Sequence, residues 1–105
     1  MKDYNFLKDM YRDAYFPPFL VDKVKAALVE VCEKVEANSA ITTEEQHQLI
    51  DQAIKNINEI GNEFYENDSE LETVARESIL GDVRAIIDHY QLTCDFDDAT
   101  VHRDW

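Results

Sequence analysis

The chain has 105 residues, 45% of them hydrophobic, with 10 Lys and Arg against 23 Asp and Glu, for a formal net charge of −13. That predicts a single domain over residues 1–105 with a real but small core. Its field repels phosphate backbones and anionic lipid, so neither nucleic acid nor membrane is an expected partner.

Only two glycines and two prolines punctuate the sequence, so helices are the expected content. No apolar run is long enough to span a bilayer, and no signal segment opens the chain, which points to a cytoplasmic protein. Phe6, Leu7, Met10, Tyr11 and Ala14 recur at helical spacing between Asp3 and Tyr15, predicting a short N-terminal helix. Pro18 excludes helical geometry at Pro17 but suits the first turn of a new helix. From there Leu20, Val21, Val24, Ala27, Leu28, Val31, Cys32 and Val35 form an apolar stripe, predicting a helix over 18–37.

The next helix is expected over 43–66, with Thr43 and Gln46 as a capping box and Glu44 and Glu45 at the positive end of its dipole. Ile50, Ala53, Ile54, Ile57, Ile60 and Phe64 are its buried face. Gly61 falls on that stripe, where a neighbouring backbone is expected to approach closely. Ser69 and Glu72 read as a second capping box, opening a helix over 69–90 with Leu71, Ala75, Ile79, Val83, Ile86, Ile87 and Tyr90 inward. Phe96, Val101 and Trp105 give the last stretch enough apolar surface to dock back on the body. The fold class is therefore all-α: a compact three- or four-helix bundle with a short N-terminal helix and a docking C-terminal tail.

Metal chemistry fits poorly. An EF-hand loop needs a glycine at its sixth position, and windows starting at Asn67 and Asp95 place Glu72 and Thr100 there. A di-iron bundle needs two inward Glu-x-x-His pairs, and Glu44–His47 is the lone one. Cys32 and Cys94 lack metal spacing and read as reduced thiols. Neither metal nor cofactor is expected. Ser78, Asp82 and His89 share one side of the last helix and have the residue types of a hydrolase. Their rise of 1.5 Å per residue separates Ser78 from His89 by roughly 16 Å, far beyond hydrogen-bond reach. No enzyme constellation emerges. Asp82 nonetheless lies within the apolar stripe and requires a partner; an ion pair with Arg76, Lys23 or Lys25 is expected.

Six of the aromatic residues, Tyr4, Phe6, Tyr11, Tyr15, Phe16 and Phe19, fall in the first nineteen positions. They suit either a short helix clamped across the bundle or an aromatic binding surface. The charge is also uneven. Residues 1–40 hold six basic and seven acidic groups, whereas residues 41–105 hold four and sixteen. Capping explains some of these acids but not Glu59, Glu63, Glu66 and Glu77. Those four, with Tyr65 as an anchor among them, are the expected contact residues for a basic protein partner.

The stretches Tyr15–Lys23 (YFPPFLVDK), Glu63–Ser78 (EFYENDSELETVARES) and Arg103–Trp105 (RDW) resemble a family of small uncharacterised bacterial proteins, a domain of unknown function. The resemblance covers nearly the whole chain and implies a helical intracellular protein. Glycine is common in that pattern where this chain has Asp68, which leaves the turn before Ser69 open. No activity is assigned to the family, so no functional residue carries over. The expected function is a small acidic interaction protein binding a basic partner, its clearest instance an immunity protein against a nuclease toxin. The alternative is a structural or regulatory protein whose acidity serves solubility.

Overall fold

The computed structural model describes residues 1–105 and is all-helical: α1 (Lys8–Arg12), α2 (Pro18–Ala37), α3 (Thr43–Glu66), α4 (Thr73–His89) and α5 (Phe96–Ala99). The five-residue link between α2 and α3 folds them into a hairpin, the most extensive helix pair of the molecule. α1 lies against α4 and also touches α2, and α5 sits on α3 and α4. No helix is long and apolar enough to cross a membrane.

The core runs through every element. Leu20, Val24 and Leu28 of α2, Ile50, Ile54 and Ile57 of α3, and Ala75, Ile79 and Ile86 of α4 are essentially inaccessible to solvent. The N-terminal segment adds Leu7 and Met10, both fully buried. Burying a large aliphatic side chain contributes about 1.5–3 kcal/mol, so this stripe-on-stripe packing is the main source of stability.

Helix starts deviate from expectation in two places. α3 is capped by Thr42, whose hydroxyl accepts from Glu45 N–H while Glu45 reaches back to Thr42 N–H, one residue before the anticipated Thr43–Gln46 pair. Gln46 is instead buried, its amide oxygen accepting from Thr93 N–H at 2.8 Å and Cys94 N–H at 3.1 Å. α4 begins at Thr73, four residues later than anticipated, with Glu72 at its N-cap and no side-chain cap. Ser69 caps nothing. It is buried and donates its hydroxyl to Tyr15 C=O at 2.9 Å.

Two helix ends are closed without glycine. After α3, Asp68 takes the left-handed conformation (φ 59°), with Asp68 N–H bonded to Tyr65 C=O and Ser69 N–H to Phe64 C=O. Gln91 does the same after α4 (φ 52°), with Gln91 N–H on Asp88 C=O and Leu92 N–H on Ile87 C=O. Both are Schellman closures, which satisfy carbonyls the helix leaves free. The turn at Asp68 closes without glycine, because aspartate tolerates left-handed geometry better than most residues. Gly61 meets a side chain rather than a backbone: a Cβ there would lie 3.3 Å from Leu71 Cδ1.

Candidate functional site

The α3–α4 turn and the α2 start form one pole of the molecule. Phe16 packs edge-on against Phe64 with ring centroids 6.3 Å apart, and the Ser69–Tyr15 bond ties the turn to the Tyr15–Pro18 bend. Lys23 Nζ meets Glu63 Oε1 at 2.6 Å, which shows that these turns of α2 and α3 lie level with one another. One helical turn before Lys23, on the same face, stands Phe19, 56% exposed. In an antiparallel hairpin that position lies level with the last turn of α3, where Tyr65 is 73% exposed. Tyr15, at 45%, is a third exposed ring at this end of the molecule. Around them Glu66, Asp68 and Glu70 are exposed and form no ion pair.

The expected contact residues divide. Glu59, Glu63 and Glu66 follow one another at four and three residues, so they share a side of α3, whereas Tyr65, about 160° round the helix from Glu63, projects from a different side. Glu59 and Glu66 are exposed and unpaired, whereas Glu63 is half-buried and held by Lys23. Glu77 belongs elsewhere, in a polar groove of about 340 Å³ between α1 and α4 with Lys8, Asp9 and Ser78. The residues that sequence reasoning left out of this pole are Tyr15, Phe19, Asp68 and Glu70. The dense N-terminal aromatics were the available signal, but they divide three ways. Phe6 and Phe16 enter the core, Tyr4 and Tyr11 donate to Asp82 and Asp22, and Tyr15 and Phe19 face solvent.

Asp82 corrects a second expectation. It is only 7% exposed, and no lysine or arginine pairs with it. Its Oδ1 accepts from the Tyr4 hydroxyl at 2.7 Å and its Oδ2 from Leu7 N–H at 2.7 Å. Leu7 is itself fully buried and left-handed (φ 54°, ψ 36°), an uncommon conformation for leucine. The strained residue turns its N–H toward the carboxylate, so the anion finds backbone and phenol donors instead of a cation. Burial raises the Asp82 pKa above its ordinary value even though both hydrogen bonds lower it.

Ser78, Asp82 and His89 are not brought together. Asp82 is engaged with the N-terminal segment, and His89 is exposed, its ring edge-on to Tyr90 at 4.7 Å. No three His, Cys, Asp or Glu side chains converge as metal ligands would. Both thiols are free and buried, and burial pushes their pKa values up. Tyr4 and Tyr11 are pushed up to about 12 by burial and by the carboxylates they donate to, so both act as neutral donors. The distinctive offering of the exposed surface is negative charge set beside aromatic rings.

Residues 15–23 and 63–78, which carry two of the sequence patterns noted above, meet at this pole, and the likeness extends beyond them. The chain belongs to a family of unknown function (DUF5713), whose model matches residues 1–105. No curated protein and no solved structure matches the chain. Family membership therefore supplies no activity, and the functional reading rests on the surface itself.

Proposed function

We propose that this protein is a small acidic interaction module that docks a basic protein partner through the α3–α4 pole and the adjoining face of α3. The observation that supports this reading is that Glu59, Glu66, Asp68 and Glu70 are exposed without ion pairs, toward the end of the molecule where Tyr65, Phe19 and Tyr15 are also exposed. Aromatic anchors within a charged rim are the usual composition of a protein-binding hot spot. The rim charges steer a cationic surface inward, and the rings provide the contact that persists. A nuclease toxin, whose cleft is cationic in order to hold phosphate, is the kind of partner this chemistry suits. An intracellular setting, in keeping with two free thiols, belongs to the same proposal.

The test is affinity capture with stepwise salt elution, followed by surface plasmon resonance on the captured basic protein. Reversing Glu59 and Glu66 to lysine is expected to slow association about tenfold at low salt while leaving the melting temperature unchanged. Tyr65→Ala is expected to speed dissociation. Glu63 is left intact, because reversing it would disrupt the Lys23 pair. Unchanged association of the double reversal would remove the interface from this face and leave its acidity to solubility.

A further inference from the structure

A second concavity, of about 480 Å³, lies between the N-terminal segment and α2. Its volume is within the range of small-molecule sites. Its apolar lining includes Phe6, Val29 and Cys32, of which Phe6 and Cys32 are core residues and Val29 is half-exposed. The opposing wall is not a helix but the segment before α1, fixed in place by the two bonds to Asp82 from Tyr4 and Leu7. The cleft is therefore preformed rather than a gap between mobile side chains.

Its charge runs against that of the molecule. Glu36 at the rim already receives the Tyr90 hydroxyl and, at 3.4 Å, the Met1 amino group. Lys2 and Lys25 also line the cleft, and neither forms an ion pair, whereas Lys23, Lys34 and Lys55 each do. The remaining rim carboxylate is Glu33. With Met1 and Glu36 engaged with one another, the unpaired charges of the cleft are Lys2 and Lys25 against Glu33, which departs from the chain's net −13. Along α2 the row Lys25, Val29, Glu33 repeats every four residues, so the cationic and anionic ends are about 12 Å apart with the apolar residue between them.

We propose that this cleft binds a small amphipathic monoanion. Its carboxylate would sit at the Lys25 ammonium group, and its apolar body would lie over Val29, Phe6 and Cys32, ending before Glu33. Multiply charged ligands are disfavoured by the field of the whole chain. The site is independent of the acidic pole and does not rest on the proposed protein partner.

The experiment is isothermal titration of the full chain with octanoate, octanol and octylammonium, with chemical-shift mapping of the octanoate complex. Octanoate is expected to bind saturably and about tenfold more tightly than octylammonium, with shifts centred on Phe6, Val29 and Cys32. Lys25→Glu, an exposed substitution, is expected to weaken octanoate about tenfold. Val29→Trp fills the cleft and is expected to abolish binding, its fold checked by circular dichroism. Absence of saturable octanoate binding to the unmodified chain overturns the proposal, as does wild-type affinity in either variant. If Val29→Trp fails to fold, Lys25→Glu alone decides.

Discussion

Residues 1–7 and residues 90–95 are both arms laid against the helical body, and each is fixed by one buried polar side chain. For the N-terminal arm it is Asp82, accepting from Tyr4 and Leu7; for the C-terminal arm it is Gln46, accepting from Thr93 and Cys94. The two residues hold main-chain N–H groups at similar distances, yet one carries a charge and the other does not. The carboxylate secures a leucine in left-handed geometry, and charge-assisted bonds are roughly twice as strong as neutral ones. The amide secures a turn in which neither Thr93 nor Cys94 is left-handed. Gln91 of the other arm is also left-handed (φ 52°) but is held by its own turn, so only the stronger holder, the carboxylate, bonds a left-handed residue directly. Its drawback is desolvation, which the neutral amide largely avoids.

The largest test of that contrast is Asp82→Ala, which strands the buried Leu7 N–H and the Tyr4 hydroxyl. It is expected to destabilise the fold by about 3–4 kcal/mol in urea titration. Asp82→Asn should lose much less, since an amide can accept from Leu7 and donate to the Tyr4 oxygen. A loss as large as that of alanine would show that the charge itself is required.

The same pair yields a pH dependence. The folded pKa of Asp82 is raised above 3.8, so its protonation favours the native state. That contribution is fully present below the unfolded pKa and is lost as pH rises through the folded value. Denaturation of wild type and Asp82→Asn in parallel should show wild type gaining on the variant as pH falls from neutral toward 3.8. A constant difference would mean that the Tyr4 and Leu7 hydrogen bonds fully offset the effect of burial on Asp82.

Gln46→Leu keeps the volume but leaves Thr93 and Cys94 N–H without their acceptor, with an expected loss of about 2 kcal/mol and no pH dependence of its own. Ser69→Ala removes a third anchor, a hydroxyl to the Tyr15 carbonyl, and is expected to lose about 1 kcal/mol. Amide-exchange protection should fall at Tyr15 and Phe16, not in the first turn of α4. The opposite pattern would restore Ser69 as a helix cap.

The long helices α2 and α3 were legible because their apolar stripes run for many turns and Pro18 marks a start that no other residue type marks as clearly. Near helix starts the local sequence was degenerate. Thr42 and Thr43 each have an acceptor three residues on, and the choice falls on Thr42 because Gln46 is drawn inward by Thr93 and Cys94. Ser69-x-x-Glu72 has the form of a capping box. Its hydroxyl instead goes to a carbonyl 54 residues away, a contact no local window contains. Asp82 was recognisable as an anomaly within an apolar stripe, but its partners are a backbone N–H and a phenol from the far end of the chain. At the pole, helical periodicity places Glu59 and Glu66 outward. The nearness of Tyr15 and Phe19 depends on the Lys23–Glu63 register and the Ser69–Tyr15 bond, both tertiary.

Asp68 and Gln91 hold left-handed positions that glycine would occupy without strain, yet the two glycines of the chain lie elsewhere, at 61 and 81. An L-residue in that conformation carries a penalty of about 1–2 kcal/mol, partly offset by its smaller loss of backbone freedom. Evolution has thus left this fold with stability in reserve at two solvent-exposed positions. Gln91→Gly can therefore offset destabilising changes at the acidic pole without touching that surface, whereas Asp68→Gly would remove one of its carboxylates.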